Sequence, residues 1–326
     1  MPGKNVITAE DRRETMKPPT EYTTLMKRRP QICKQAANQH HSFRLAGLKF
    51  LSFFLLLMAC LMAIDPACPH VSAQSAPSEK TYTLRDLNEQ LVMATLWVQV
   101  SAEYRALCLQ AYNFARMTLD EDLAEVKTDK KRIIIVDTDD TTIQANEYEA
   151  YVIGKDLEYP SQWSNWVATA SGKAVPGAVE FLNYAASKGV EPYYVTNRKI
   201  DQEYQGTLDN YKKLGCPFVD TEHVMCRQKG ANGDKQARQI ALEEKYHLVL
   251  YVGDNIEDFP VNIYGKSIEE RYRIVESVRD EFGKRFIMLP NPVYGSWENA
   301  VKNFKKDLPA EEQNRLRKAL LRQWRP

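Results

Sequence analysis

Residues 133–136 read IIIV and run without a break into Asp137, Thr138, Asp139 and Asp140. An unbroken run rich in β-branched residues suits a strand covered on both faces. This one ends on carboxylates that repel one another. Burying them is costly unless a cation or hydrogen bonds offset the charge. Something positive is therefore expected at the end of the strand. The rest of the chain supplies the context. Further candidate strands are 191–195, 223–226, 248–252 and 285–288, beside 132–136 itself. Helical segments lie between them at 176–188, with Pro176 early and Gly189 as a stop, at 201–214 and at 234–246. Such alternation predicts an α/β fold, a parallel sheet flanked by helices, whose ligands bind at the carboxyl ends of the strands.

The residues at those ends are informative. The first strand is followed by Asp137 and Asp139, and the second by Thr196, Asn197 and Arg198. The strand at 248–252 runs into Gly253, Asp254 and, after a short turn, Asp258, while Lys235 opens the helix before it. Asp137, Asp139, Asp254 and Asp258 make an oxygen-rich pocket suited to a hard divalent cation such as Mg²⁺. Thr196, the Asn197 backbone and Lys235 offer hydrogen bonds and positive charge to a phosphoryl group. The set fits phosphoryl transfer: Asp137 attacks phosphorus in line, and the cation offsets the repulsion between two anions. Asp139, two residues on, points to the other side of an extended backbone, so it serves as acid and then base. Because Asp139 must start protonated, an acidic pH optimum is expected.

Each piece alone has a bland reading. An Asp-rich turn is commonly a solvated loop, TNR is a common tripeptide, and Lys235 could be a surface lysine. GANGDK lacks the GK[ST] ending of a phosphate loop. Their joint order, each at a strand end or helix start, is what carries weight. DTDDT (137–141) resembles the DxDx(T/V) signature of the haloacid dehalogenase (HAD) superfamily. YYVTNR, the lysine in GDKQAR and YVGDNIEDF resemble its second, third and fourth motifs. More narrowly, the chain is similar to the class C acid phosphatases, the bacterial lipoprotein 5′-nucleotidase family. ATLWVQVSAEYRALCLQAYNFAR (94–116), WSNWV with AVPGAVEFLNYA, and FIMLPNPVYGSWENAV (286–301) extend the likeness over roughly residues 84 to 305.

The resemblance implies a Rossmann-like core over 84–326, with N-terminal helices in 84–126 and a small cap insertion at 142–175. It makes Asp137 the nucleophile and Asp139 the acid/base whose main-chain carbonyl also binds Mg²⁺. Asp254 becomes the third metal ligand, Asp258 supports the metal or the lysine, and Thr196, Asn197 and Lys235 hold phosphate. The implied substrates are phosphomonoesters, nucleoside 5′-monophosphates among them, with Trp163 and Tyr294 where base-stacking rings would stand. Core packing is the plainer reading of both rings. Where the family pattern continues as DETVLDNS, this chain has DDTTIQAN, so Gln144 and Ala145 replace a charge and an amide expected near the entrance. That departure supports a second reading, a non-catalytic cell-envelope nucleotide-binding protein with a degenerate site. A receiver-like phosphoacceptor is a third, opposed by Asp139, since an acid/base is what turns a phosphoacceptor into a hydrolase.

The first 73 residues differ in kind. A basic stretch with Lys27, Arg28, Arg29, Lys34, Arg44 and Lys49 precedes Phe50 to Ile64, which carries no charge. That length suits the h-region of a signal peptide better than a spanning helix. Val71-Ser72-Ala73 suits cleavage before Gln74, with 74–83 a linker; Met26 would give a start with a more usual n-region. Leu57-Met58-Ala59-Cys60 approximates a lipobox, the alternative reading, and would add a membrane anchor at Cys60. The expected location is the bacterial periplasm or cell envelope, at the outer membrane if Cys60 is lipidated. The net charge of +1 favours neither nucleic acid nor an acidic partner. Cys108 falls on the apolar face of a helix. Cys216 and Cys226 could pair in an oxidising compartment, and the sequence leaves that open. Thr83 is an expected N-cap with Asp86 as its partner, opening two helices that run to about residue 118.

Overall fold

The computed structural model describes residues 81–325. The export segment, its cleavage site, Cys60 and most of the linker lie outside the described residues. Five strands pair in parallel: β1 (Arg132–Val136), β2 (Glu191–Lys199), β3 (Val224–Arg227), β4 (His247–Gly253) and β5 (Phe286–Met288), in the order β3-β2-β1-β4-β5. Eleven α-helices accompany them among the described residues: α1 (Leu84–Asn88), α2 (Val92–Val100), α3 (Ala102–Glu125), α4 (Asn146–Val152), α5 (Trp163–Thr169), α6 (Ala178–Ser187), α7 (Tyr204–Leu214), α8 (Gln236–Lys245), α9 (Ile268–Ser277), α10 (Ser296–Val301) and α11 (Ala310–Ala319). This is the α/β fold that the alternation predicts.

The unbroken apolar run of β1 has its explanation in the two faces of the sheet. Ile134 and Val136 pack with Cys108, Ala115 and Leu119 of α3, Leu182 of α6 and Tyr211 of α7. Ile133 and Ile135 pack on the other side with Leu242 of α8, Tyr251, Phe259 and Phe286. Side chains alternate along a strand, so both faces must be apolar when both are covered. β2 runs through Lys199 rather than stopping at residue 195, because after a shift in register Lys199 pairs with Arg227 of β3. The TNR segment is therefore held in the sheet, not free in a loop.

At the N-terminus the expected cap is present: the Thr83 backbone N–H donates to the Asp86 carboxylate at 2.9 Å. The two expected helices are in fact three, plus a single 3₁₀ turn at Glu89–Leu91. Ser101, extended at φ −80° and ψ 140°, ends α2, and its Oγ accepts the Tyr104 N–H at 3.0 Å to start α3. α3 passes residue 118 because its last turn is anchored. Leu119 is buried in the core, and Asp122 accepts from Arg132 at 2.7 Å and pairs with His247 at 2.6 Å.

Ile143 bridges Ala174 in antiparallel fashion, with Gln144 N–H donating to Lys173 O at 2.8 Å and Val175 N–H to Thr142 O at 3.0 Å. The chain between them carries α4 and α5, which bury Ala145, Tyr148, Val152, Trp163 and Val167 in a small cluster of their own. The pairing of Cys216 with Cys226 is not made. Both thiols are free and pack into the same apolar cluster as Cys108, where they serve as filler.

Leu182 of α6 has no exposed surface and sits between helix and sheet. Leu182→Ala should cost roughly 2–5 kcal/mol of unfolding free energy in urea titration. A cost below about 1 kcal/mol would mean that this face packs more loosely than described.

Candidate active site

The sheet order creates the site. The chain steps from β1 to β2 to β3, then crosses back to place β4 on the other side of β1. The connections leave β1 and β4 in opposite directions, and that divergence opens a crevice at their carboxyl ends. Asp137 lies there, its N–H bonded to Val252 O of β4 at 3.0 Å. Asp254 comes directly after β4. Asp258 belongs to the short turn Ile256–Asp258 and folds back so that its Oδ2 accepts the Asn255 N–H at 2.9 Å. Only glycine fits at 253: a Cβ there would lie 2.4 Å from the Asp258 Cβ.

Carboxylate oxygens of Asp137, Asp254 and Asp258 all lie within 4.8 Å of one another, and all three residues are buried. Lys235, immediately before α8 and only 4% exposed, bonds Asp137 and reaches Asp258 at 2.7 Å. Burial works against its charge, but Asp137 and Asp258 outweigh that and hold the ammonium protonated. Asp254 pairs with no cation among the described residues. It accepts from the Thr141 hydroxyl at 3.1 Å and the Asn291 amide at 2.8 Å. Burial first, then Asp258 and Asp137, push its carboxyl well above the usual range. Burial likewise raises Asp258 to about 6, against the pull of Lys235. Three carboxylates facing one ammonium leave a deficit of positive charge, and an all-oxygen donor set suits a hard divalent cation.

Asp139 stands apart from this triad. Its carboxylate is taken by the buried guanidinium of Arg198 at 2.7 Å, so only its main-chain carbonyl is left for the metal role expected of it. Asp258, expected to support the metal or the lysine, bonds Lys235 and has its carboxylate among the three. Thr196 is fully buried, and its hydroxyl accepts the Arg198 N–H at 3.1 Å. The Asn197 side chain is likewise occupied, donating to Gly233 O at 2.8 Å and accepting from Arg238 at 2.9 Å. Arg238 also ties Thr196 O and Met225 O, joining the ends of β2 and β3 to α8. The sequence motifs give no role to Arg198 or Arg238, although TNR and a cation three residues after Lys235 are both in view.

A cavity of about 530 Å³ opens from the triad. Asp137, Asp139, Asn197, Arg198, Lys235, Asp254 and Asp258 line its floor, and Tyr148, Trp163 and Tyr294 its walls. Trp163 is 5% exposed; its neighbours Tyr148 and Trp166 each lie 5.0 Å away, centroid to centroid. Tyr294 is half-buried. Gln144 and Ala145 are not among the lining residues. Ala145 is buried, and its N–H donates to Asp140 Oδ1 at 3.0 Å, so this departure alters packing under the loop, not the cavity wall. Asp140, with φ 51°, closes the loop through its own N–H to Ile143 O at 2.7 Å.

Comparison with known proteins agrees with this geometry. The profile of the HAD superfamily, subfamily IIIB (Acid phosphatase), matches residues 69–297. The chain belongs to that family. It is therefore an acid phosphatase, a phosphomonoesterase of the HAD type. Two solved structures of the class C acid phosphatase from Bacillus anthracis, one with tungstate bound, align with it at 34% identity and a TM-score of 0.70. Each alignment covers 73% of this chain and 99% of that one.

Glu149 of α4 faces the cavity of this phosphatase with no side-chain hydrogen bond or ion pair among the described residues. Burial, with Asp140 and Glu298 nearby, pushes its carboxyl up to about 8. The folded chain thus keeps a proton there that the unfolded chain has lost. The stability this gives is present at acid pH and disappears as pH rises through about 8. Glu149→Gln should therefore melt a few degrees above the parent near pH 9 and level with it near pH 4.5. Equal melting temperatures at both would show Glu149 to be solvated.

Proposed function

We propose that this acid phosphatase is an exported, Mg²⁺-dependent enzyme that hydrolyses phosphomonoesters, nucleoside 5′-monophosphates foremost, through an aspartyl-phosphate on Asp137. The observation that carries the reading is the buried Asp137 at the end of β1, bonded to Lys235 and grouped with Asp254 and Asp258. Asp137 attacks phosphorus in line. Asp139 gives a proton to the leaving oxygen and later takes one from the hydrolytic water. Lys235 and the backbone around Thr196 and Asn197 stabilise the phosphoryl oxygens. Asp137, the Asp139 carbonyl and Asp254 would hold Mg²⁺, with Asp258 adjoining. When bound, the cation supplies the positive charge that lets two anions approach.

Tungstate is a tetrahedral oxyanion of phosphate's shape, so its presence in the Bacillus anthracis structure supports binding of a phosphate-like oxyanion by this chain. The cavity falls within the range of pockets that hold small organic ligands, and Tyr148, Trp163 and Tyr294 offer ring surface to a base. Export rests on the uncharged stretch at 50–64 and the small residues before Gln74, with lipidation at Cys60 as the alternative route to the envelope. No helix among the described residues is long and apolar enough to cross a membrane.

The test is phosphate release from a panel of nucleoside monophosphates and an aryl phosphate, run with Mg²⁺, with EDTA and with Asp137→Asn. Turnover should fall at least about a thousandfold in both controls, as expected when a nucleophile is removed. Activity that persists in EDTA would remove the metal from the reading. Activity that persists in Asp137→Asn would remove the nucleophile. Turnover of the nucleotides should also decline as pH rises through neutrality, because Asp139 must start protonated.

A further inference from the structure

Asp139 does not choose its own orientation. Arg198 lies beneath it with 1% of its side chain exposed, against 19% for Asp139. Nε of Arg198 reaches Asp139 Oδ1 and Oδ2 at 3.1 and 3.2 Å, and Nη2 reaches Oδ1 at 2.7 Å. The guanidinium is itself pinned by groups that have nothing to do with the carboxylate. Nη1 donates to Thr207 Oγ1 of α7 at 3.1 Å. The Thr207 hydroxyl donates onward to Glu203 O at 2.7 Å, so its lone pairs stay turned toward Arg198. On the other side the rings of Trp163 and Trp166 of α5 lie 5.8 and 5.6 Å from the guanidinium carbon. The Arg198 backbone N–H is held as well, by Thr196 Oγ1. With α5, α7 and the end of β2 all engaged, the fork is fixed first and Asp139 conforms to it. A planar fork sets the plane of a carboxylate as well as its distance, which an ammonium cannot do.

We propose that Arg198 is the positioning residue for Asp139, holding its carboxyl in the orientation from which it protonates the leaving oxygen, and that Trp163 and Trp166 keep Arg198 in place. The inference rests on the acid/base reading of Asp139. In the step concerned, the bond from Asp137 to phosphorus forms, the bond from phosphorus to the leaving oxygen breaks, and the proton passes from Asp139 to that oxygen. An alkyl leaving group needs this proton. A p-nitrophenolate leaves without it.

The experiment compares kcat/KM, which reports formation of the aspartyl-phosphate, for a nucleoside 5′-monophosphate and for p-nitrophenyl phosphate. Arg198→Lys should lose about 100-fold on the nucleotide, the order of general-acid catalysis, and less than about fivefold on the aryl ester. In the Asp139→Asn background the same substitution should cost nothing further on the nucleotide. Thr207→Val keeps the guanidinium but removes one support, and should show the same selectivity at about a tenfold loss. It serves if Arg198→Lys does not fold. Equal losses on both esters, or losses that add to those of Asp139→Asn, would overturn the proposal and make Arg198 a phosphate ligand or a structural ion pair. A parent enzyme that turns over neither ester would instead sink the phosphatase reading of the site, and this proposal with it.

Discussion

The ammonium of Lys235, buried between Asp137 and Asp258, is the interaction on which the rim of the sheet depends. Removing one partner from a buried ion pair leaves a charge with neither water nor counter-ion, which costs about 3–5 kcal/mol. Each element nearby is shaped by that requirement. β1 and β4 are neighbours at the switch point, so Asp137 and Asp254 arrive together. Gly253 lets Asp258 fold against the strand end, and α8 begins so that Lys235, the residue capping it, reaches both acids. The sheet supplies position, and the charges impose the residue types.

The compensation is nonetheless incomplete in a patterned way. Asp139 has the guanidinium of Arg198 beside it, while Asp137 and Asp258 share Lys235. Among the described residues Asp254 has only neutral donors, Thr141 and Asn291. A fold concerned with stability alone would replace such a group with an apolar one, since buried ionic groups are weak contributors to stability. Keeping it makes sense where a ligand that binds only the folded state returns the energy by mass action. The unbalanced carboxylate is thus the part of the site that speaks most directly of chemistry.

Much of this is legible in the sequence, because it depends on periodicity and on the residue types at the end of each strand. The limits of β1 can be read to the residue, since apolar residues covered on both faces stop abruptly at the first carboxylate. Asp137, Asp254, Asp258 and Lys235 can be placed at one rim because alternation of strands and helices dictates which ends coincide. The rest depends on contacts between segments distant in the chain. Nothing local announces that Asp122 anchors α3 to Arg132 and His247, so apolar spacing alone ends the helix too early. Ser101 carries a cap signal, but it lies within a continuous helical spacing of apolar residues that masks it. Arg198 and Arg238 read as ordinary cations until the sheet shows them buried. Nothing in the spacing names Arg198 as the partner of the Asp139 carboxylate.

The Gln144–Ala145 departure shows how spacing can mislead about location. Reading outward from the aspartates, these residues should approach the mouth of the cavity, where a lost charge and amide would weaken binding. The left-handed turn at Asp140 changes the direction of the chain, and its carboxylate captures the Ala145 N–H. Ala145 then points into the cluster of Tyr148, Trp163 and Val167. A larger polar side chain would have to be accommodated inside that cluster, so alanine here is a packing solution. Of the observations favouring a degenerate binding site, this is the only specific one, and the geometry moves it from the chemistry to the support beneath Trp163. What remains at the rim is Asp137, Asp139, Lys235 and the carboxylates of Asp254 and Asp258, the groups on which the proposed turnover rests.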